Sequence, residues 1–482
     1  MADHALTDKK SQFALIALAG SLAGVANLDY SLVNISIIPI SKHFNVSASL
    51  SDWVLIILGL ISVATPVGFG KLGDLKGYRN VLNIGLIIYA TGNIMCALAP
   101  SIQALIAFHT LKSIGYAMTL PMSLAITTVF LPSHMIGLAL GVVAAMAALG
   151  FALGLAVGGY VAGVFGWQYN FLVSVPVLAA GLLASFIIVP VKQAEAPDAR
   201  FDLPGAVWLF MALFPLIFAL NSGTKAGWSN PLILTAFVIS AIGFVLFFHQ
   251  EQHISYPLVD LTLFKKRNFS YSIAAVALVY FLMGGVMFLF PFYLLLVRHL
   301  DMSQAGLVIM VFPITAAVVA PFAGSLADRF GSHLLCTTGM LITAAGNILV
   351  ALLSADSGLA HVIAALCLMG VGIGLFFAPN NKLIMSLTPK EKQGMASGIY
   401  RMTTSAGSVL GIVFFVLVAQ QVISIDCSRW HIAPSTYKLH PEILIHGFQV
   451  VFIIGAALML LNAFFAFQAK DVGKTVGSAP HL

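Results

Sequence analysis

The 482-residue chain is 60% hydrophobic and only 8% charged, and its mean hydropathy is +1.00. Soluble domains are about a quarter charged, so this composition excludes a soluble protein and predicts an all-α polytopic membrane protein. The net charge of +6 does not indicate nucleic-acid binding, because the Lys and Arg residues are dispersed among short loops. The four cysteines lack the spacing of metal ligands, so the sequence predicts no disulfide framework, no metal and no cofactor.

Taken in chain order, the apolar segments predict fourteen membrane-spanning helices, at about 20 residues per crossing. The first six are expected near residues 13–38, 52–70, 80–99, 103–128, 137–163 and 169–190. Two extra spans follow near residues 204–221 and 231–248. The last six are expected near residues 269–297, 304–327, 334–354, 361–384, 393–421 and 446–467. The predicted parts are therefore an N-terminal six-helix bundle (1–190), a linker with two extra transmembrane helices (191–268) and a C-terminal six-helix bundle (269–482).

One short charged loop occurs twice, as Gly70–Arg79 and in weaker form as Gly324–Gly331. The two copies lie 254 residues apart, which is about eight crossings of roughly 30 residues each, loops included. A chain of six plus six spans would place them six crossings apart. The spacing therefore supports two extra spans between the bundles.

Basic residues in the loops predict the orientation, because Lys and Arg are enriched on the cytoplasmic side of a membrane. Most of them share the side of the N-terminus, so both termini and both copies of the repeated loop are expected in the cytoplasm. The protein is predicted to lie in the cytoplasmic (inner) membrane. The longest outer segment, about residues 424–445, is expected to be a connecting loop that carries Cys427 and Trp430.

The repeated loop resembles the signature of the major facilitator superfamily, Gly-x-Leu-Ala-Asp-Arg-x-Gly. Leu28–Asn34, which reads Leu-Asp-Tyr-Ser-Leu-Val-Asn, is similar to a motif of the fourteen-span drug:proton antiporters of that superfamily. The chain departs from this branch in span 4, where His109, Lys112 and Ser113 replace Arg-x-x-Gln-Gly, and in span 5, where Gly154–Gly159 lacks the antiporter proline. The resemblance implies the major facilitator fold, in which two bundles rock about a central cavity, and proton-coupled export of drug-like molecules.

Ionisable residues inside membrane spans are costly and are therefore candidates for function. Asp29 is the acid that lies well inside a span, and with His109 it is predicted to couple transport to protons. Asn34, Lys112, Tyr116 and Arg401 are predicted to bind substrate, while Lys112 could alternatively pair with Asp29. At 100° per residue, Asp29 and Asn34 lie on opposite faces of their helix and cannot both point into one cavity.

A conformational gate is predicted at the repeated loops and at a row of glycines in span 5, whose spacing allows close helix packing. Asp74 and Asp328 are expected to hold one state by binding helix ends or basic residues across the bundles. The predicted gate residues are Gly70, Asp74, Gly77, Arg79, Gly154, Gly158, Gly324, Asp328 and Arg329.

Other functional classes are disfavoured. The sequence lacks the phosphate-binding loop of an ATP-driven pump, and it shows no cluster of catalytic groups, so an enzyme is not expected. The expected partners are a small-molecule substrate, protons and the lipid bilayer, and the protein is expected to be a monomer. One alternative stays open. Inside the membrane, Asp29 supplies one negative charge, whereas Lys112 and Arg401 supply two positive charges. The cargo could therefore instead be an anionic or zwitterionic metabolite. It would be carried by proton coupling or facilitated diffusion, and uptake is then possible.

Overall fold

A computed structural model describes residues 6, 8–191, 200–254, 256–353, 357–430 and 441–470, and this part of the chain is helical throughout, with no strand. Thirteen of its helices are long and apolar enough to cross a membrane. A fourteenth span is broken into two short helices that meet at an angle of 50° beside Pro66. Proline lacks an amide hydrogen and clashes with the preceding turn, which accounts for the bend. The predicted fourteen-span architecture is thus confirmed, with span 2 broken rather than straight.

The first bundle, called the N-bundle, consists of nine helical segments. They are α1 (Lys9–His43), α2 (Ala48–Ser51), α3 (Trp53–Ala64), α4 (Pro66–Lys76), α5 (Tyr78–Ala97), α6 (Ile102–Phe130), α7 (Ile136–Val164), α8 (Trp167–Leu172) and α9 (Val175–Ile188). Side chains cap the long helices at their N-termini: Asp8 accepts a hydrogen bond from the Ser11 amide, and Ser101 accepts one from the Ala104 amide.

The two extra spans, called the inserted pair, are α10 (Leu203–Ala226) and α11 (Pro231–His253). The second bundle, called the C-bundle, follows. It consists of α12 (Thr262–Lys265), α13 (Arg267–Phe292), α14 (Met302–Phe330), α15 (Ser332–Ala351), α16 (Leu359–Ser386), α17 (Gln393–Arg429) and α18 (Pro441–Gln468). A capping box of Asp301 and Gln304 begins α14.

The prediction of a loop beginning at residue 424 is wrong, because α17 continues to Arg429 and Cys427 is a buried helical residue. The polar sequence after residue 420 marks the end of the apolar run, not the end of the helix. Asp426 joins this extension to α18 through a hydrogen bond with His446, with 2.6 Å between Oδ2 and Nδ1. A surface cavity lies here between α17 and α18, away from the interface of the bundles. Trp430 follows the helix as a turn residue, and residues 431–440 of the expected loop lie outside the described part.

The two bundles meet at two contacts that are related by pseudo-symmetry. In the first, α4 crosses the start of α17, where Gly70 meets Gly394 so closely that neither position has room for a Cβ atom. In the second, α14 crosses the start of α7, where Gly324 meets Gly137 in the same way. Both contacts lie near the repeated loops. We call this end of the molecule the signature face.

The inserted pair lies against both bundles. Its helices pack on each other, with the Ser240 hydroxyl donating to the Ala212 carbonyl at 2.6 Å. On the N-bundle side, the ring of Phe218 in α10 stacks on Trp53 of α3, with 5.8 Å between the centroids. α10 also contacts α17 of the C-bundle. The pair therefore fills the groove between the bundles on one side of the molecule.

Candidate functional site

A buried ion pair lies inside the N-bundle. Asp29 of α1 and Lys112 of α6 are 1% and 0% exposed, and 2.8 Å separates Oδ2 from Nζ. The approach angle does not make a hydrogen bond, so the attraction is mainly Coulombic. The Lys112 ammonium also lies 4.7 Å from the centroid of the Phe171 ring, a favourable cation–π distance.

Two hydroxyl groups complete the surroundings of the Asp29 carboxylate. Tyr89 of α5 donates to Oδ2 at 2.8 Å, and Ser174, immediately before α9, donates to Oδ1 at 3.1 Å. Four helical elements thus converge on one carboxylate. Asp29 and Lys112 therefore depend on each other, because removing either charge would leave the other buried and unpaired.

The polar stripe of α6 faces the interior of the N-bundle and not a water-filled space. His109, Lys112 and Ser113 are all fully buried, and Tyr116 is 7% exposed. Lys112, which we expected to contact substrate, is instead engaged by Asp29. The predicted single helix face exists, but most of it is covered by neighbouring helices.

His109 has an unusual environment. Among the described residues, neither of its ring nitrogens has a hydrogen-bond partner, and its ring meets Phe171 edge-on at 6.1 Å. Lys112 lies one turn further along the same helix. An imidazolium at this position would therefore face a like charge and no carboxylate partner.

A second polar cluster lies between the bundles. Arg401 of α17 hydrogen-bonds the hydroxyl of Tyr116 in α6. Tyr400 hydrogen-bonds Tyr280 and also accepts from the Asn381 amide at 3.2 Å. Arg401 has no carboxylate within ion-pair distance in the described part of the chain.

Arg401 and Tyr116 line a narrow slit between the bundles. The slit encloses about 160 Å³ and is too tight to admit a water molecule. Its remaining lining residues are Ser62, Pro66, Ala117, Leu120, Pro121 and Ser405. This slit therefore has no room for a bound substrate as it stands.

Two exposed polar side chains lie on the half of α1 away from the signature face. Tyr30 lies near Tyr116 and is 38% exposed, and its ring stacks on Phe151 at 6.5 Å. Asn34, one helical turn further from the signature face, is also exposed. As predicted, Asn34 and Asp29 point in different directions, since Asn34 is exposed and Asp29 is buried inside the bundle.

One aromatic contact connects the two polar clusters. The ring of Tyr89, whose hydroxyl binds Asp29, meets the ring of Tyr116 at 5.9 Å in an edge-to-face arrangement. Tyr116 in turn binds Arg401. The ion pair and the slit are therefore joined through two tyrosines.

Asp74 bridges the bundles at the signature face. Its carboxylate accepts hydrogen bonds from the amides of Gly394 and Met395, at 2.7 and 2.9 Å, and from the hydroxyl of Tyr78 at 2.7 Å. The two amides belong to the first turn of α17, so Asp74 caps that helix from the opposite bundle.

The predicted gate residues of the two repeated loops lie at the signature face. Gly77 turns the chain with φ = 87°, a conformation that favours glycine, and Arg79 lies 5.2 Å from the ring of Phe186. In the second copy, Gly324 lies against Gly137, and Arg329 occupies the last turn of α14. The side chain of Asp328 lies outside the described part of the structure.

Gly154 and Gly158 occupy a different contact. A Cβ atom on Gly154 would lie 2.5 Å from the Leu28 carbonyl oxygen, and one on Gly158 would lie 3.1 Å from the Leu32 side chain. Both neighbours belong to α1, so these glycines bring α7 close to α1 within the N-bundle. They do not lie between the bundles.

Comparison with known proteins decides the family. Residues 19–412 and 272–480 match the sequence profile of the Major Facilitator Superfamily. The chain belongs to this superfamily. The riboflavin transporter RibZ of Clostridioides difficile is a similar superfamily protein, 30% identical over 394 residues, which cover 81% of this chain and 84% of RibZ.

Two resistance proteins are also similar to this major facilitator. The multidrug resistance protein Stp of Mycobacterium tuberculosis (strain ATCC 25618 / H37Rv) is 30% identical over 80% of this chain and 71% of its own length. The tetracenomycin C resistance and export protein of Streptomyces glaucescens is 28% identical over 86% of this chain and 77% of its own length.

Solved structures support the same fold. The human organic anion transporter MFSD10 gives a TM-score of 0.66 at 15% identity, covering 94% of this chain and 99% of its own. The proton:xylose symporter XylE gives 0.64 at 14% identity, covering 95% of each chain. At these identities the likeness shows the major facilitator fold alone.

The sequence did not predict several residues of this major facilitator that complete the two clusters. Tyr89 and Ser174 reach Asp29 from positions 60 and 145 residues away, and no local pattern connects such distant positions. The other three lie in separate helices of the C-bundle: Tyr280 in α13, Asn381 in α16 and Tyr400 in α17. A buried hydroxyl or amide in an apolar span was the available indication for each of them.

Proposed function

We propose that this protein is a secondary active transporter that exports small organic molecules in exchange for protons by alternating access. It would lie in the cytoplasmic membrane with both termini and the signature face in the cytoplasm, as the drug:proton antiporters of the superfamily do. The observation that carries this proposal is the fully buried Asp29–Lys112 pair. The similar tetracenomycin C resistance and export protein supports the direction, and the similar multidrug resistance protein Stp supports drug-like cargo.

The ion pair provides a physical link between a proton and a conformational change. When Asp29 takes up a proton, its negative charge is lost and Lys112 remains as an unpaired cation that is 0% exposed. An unpaired buried charge costs several kcal/mol, roughly 3–5 in measured cases. The protonated protein therefore favours a rearrangement in which Lys112 reaches water, cargo or another partner.

His109 enters the proposal as a second proton acceptor. Its two ring nitrogens have no partner among the described residues, so it can take up a proton once Lys112 has moved away and its like charge is gone. Asn34, Tyr116 and Arg401 are proposed to contact the cargo, because they lie at or beside the gap between the bundles. Lys112 is proposed to join them only after Asp29 is protonated.

The signature face is proposed as the inner gate. Asp74 holds it closed by capping α17, and the paired glycines allow the helix backbones to meet. Opening toward the cytoplasm would break these contacts at Gly70 and Asp74 and the related contact at Gly324. Gly154 and Gly158 would act differently, by keeping α7 and α1 together while the N-bundle moves as a unit.

A second candidate is a carrier of anionic or zwitterionic metabolites that uses the same fold, with uptake as an alternative direction. The favouring observation is Arg401, which lies in the slit and has no carboxylate partner in the described residues. The riboflavin transporter RibZ shows that relatives of similar identity are not all drug exporters.

Proton coupling is tested with purified protein in liposomes under an imposed pH gradient, while cationic, neutral and anionic compounds are added. We expect cargo-dependent proton movement in the wild type and none in Asp29→Asn. Glu442→Gln, which removes an exposed carboxylate at the far end of α18, is the matched control and should behave as the wild type.

Because Asp29→Asn leaves Lys112 unpaired, the double variant Asp29→Asn/Lys112→Met tests coupling without an orphan charge. Thermal melting and gel filtration check that each variant is folded. Normal coupling in a folded Asp29 variant would remove this residue from the mechanism. Transport without proton movement would indicate facilitated diffusion or another coupling ion.

A further inference from the structure

Arg401 lies at the interface of the bundles without a carboxylate partner among the described residues. We propose that the cargo is a planar aromatic organic anion, whose negative group binds Arg401 and whose ring lies among the tyrosines around the slit. This inference rests on the proposed transport function and names the chemistry of the cargo at the same site.

The charge argument depends on the geometry of the other buried ions. Asp29 and Lys112 are 2.8 Å apart and cancel each other inside the N-bundle. Arg401 lies across the slit on α17, with a tyrosine hydroxyl as its partner rather than a carboxylate. An anion would supply the missing charge, whereas a lipophilic cation would meet a like charge in a low-dielectric space.

The polar groups around the slit are mainly donors. A guanidinium has five N–H donors and no acceptor, and its planar fork matches the two oxygens of a carboxylate. The hydroxyls of Tyr116, Tyr280 and Tyr400 add further donors that can rotate toward an incoming group. Such a site requires a ligand rich in acceptors, which a carboxylate, sulfonate or phenolate provides.

The apolar part of the cluster is aromatic. Tyr280 lies 5.3 Å from the ring of Phe377, and Phe281 lies 5.2 Å from Phe414 on α17, which is 40% exposed. Flat rings gain from offset or edge-to-face contacts with such side chains beyond the burial of apolar area. An aromatic anion therefore matches both halves of the site better than an aliphatic acid.

The site must widen before it can hold this ligand. Pockets for small organic molecules enclose roughly 300–1,000 Å³, whereas the slit encloses about 160 Å³. The bundles must therefore separate at Arg401 and Tyr116 before cargo can bind there.

The test compares four probes that differ in one property each. The probes are 2-naphthoate, 2-naphthalenemethanol, 2-naphthylmethylammonium and decahydronaphthalene-2-carboxylate, and binding to purified protein in nanodiscs at neutral pH is measured by calorimetry. We expect 2-naphthoate to bind at least about 10-fold more tightly than each of the others, because charge-assisted hydrogen bonds contribute about 1.5–3 kcal/mol.

Three variants locate the interaction. Arg401→Gln should weaken 2-naphthoate binding about 10- to 100-fold, and Arg401→Lys, which keeps the charge but loses the planar fork, should weaken it less. Lys42→Gln removes an exposed positive charge at the far end of α1 and should bind as the wild type. Melting temperatures verify folding, and Arg401→Lys keeps the test valid if Arg401→Gln is unstable.

Several results would overturn the proposal. Preference for the ammonium or the alcohol, equal binding of the aliphatic acid, unchanged affinity in Arg401→Gln, or no binding of any probe would each contradict an aromatic anion at Arg401. Binding needs no proton gradient, so failure of the proposed proton coupling would appear separately, as tight binding of 2-naphthoate without proton-linked transport in liposomes.

Discussion

Asp74 provides the sharpest test of the gate. Its carboxylate accepts two amide hydrogen bonds from the opposite bundle, at 2.7 and 2.9 Å. Asp74→Asn keeps the size of the side chain but removes its charge. The expected result is a shift away from the state that is closed at the signature face.

The size of the shift follows from the two bonds. Hydrogen bonds to charged groups contribute about 1.5–3 kcal/mol and neutral ones about 0.5–1.5 kcal/mol, so the loss is about 1 kcal/mol per bond at this partly exposed position. Two bonds give about 2 kcal/mol, which is roughly a 30-fold change in the ratio of closed to open protein.

The ratio is measurable by pulsed electron spin resonance with labels at positions 76 and 390, which are exposed and lie on opposite sides of the contact. Tyr78→Phe is the matched control, because it removes a hydrogen bond to the same carboxylate from within the N-bundle. We expect the control to change the ratio by at most about fivefold. An unchanged distance distribution in Asp74→Asn would show that the cap does not hold the bundles together.

Two further predictions concern contacts near the first turn of α17. Gly394→Ala should abolish transport, because its Cβ would collide with the Gly70 carbonyl and lie 2.6 Å from Asp74 Oδ1. The control Gly159→Ala, whose Cβ would have nothing within 4 Å, should transport normally. Uptake by liposomes measures both variants, and an active Gly394→Ala would contradict the close approach. Partial burial raises the pKa of Asp260, but hydrogen bonds from Lys392 and Thr262 outweigh the burial and hold that pKa below its usual range. The ionised carboxylate should therefore stabilise the fold above about pH 4, and this stabilisation should be lost as the pH falls through the lowered pKa of Asp260. Asp260→Asn should therefore melt at a slightly lower temperature than the wild type from pH 5 to 8. The loss of stability should be under about 1 kcal/mol, because Lys392 is 42% exposed and water screens the pair. The difference should vanish in acid, and a difference that grows in acid would refute the assignment.

The sequence predicted the fold more completely than the site. Hydropathy located the spans, and the distance between the repeated loops indicated the two extra ones, because both properties are set by the thickness of the bilayer. It also predicted that Asp29 and Asn34 diverge, since helical geometry alone decides which face each residue occupies. The end of α17 was missed because helices can continue beyond the membrane into water.

The contacts of the candidate site depend on tertiary packing that no local pattern reveals. Lys112 was predicted as a substrate ligand, with pairing to Asp29 as the alternative, and the ion pair between them depends on the crossing of α1 and α6. The glycines show the same limit. Gly70 and Gly154 both permit close approach of two helices, but Gly70 contacts the C-bundle whereas Gly154 contacts α1 within the N-bundle.

The inserted pair has a consequence for how the molecule moves. The loop that follows α11 ties it to the C-bundle by directional contacts, since Asp260 binds Lys392 at 2.6 Å and its amide donates to the Met395 sulfur at 3.2 Å. Toward the N-bundle, the pair makes less directional contacts: Phe218 stacks on Trp53, and the Glu251 carboxylate of α11 is attracted to Lys71 of α4. We therefore expect the inserted helices to travel with the C-bundle. The two parts that move against each other would then be unequal, with six spans in one and eight in the other. The sequence pattern, in contrast, divides the chain into six, two and six spans.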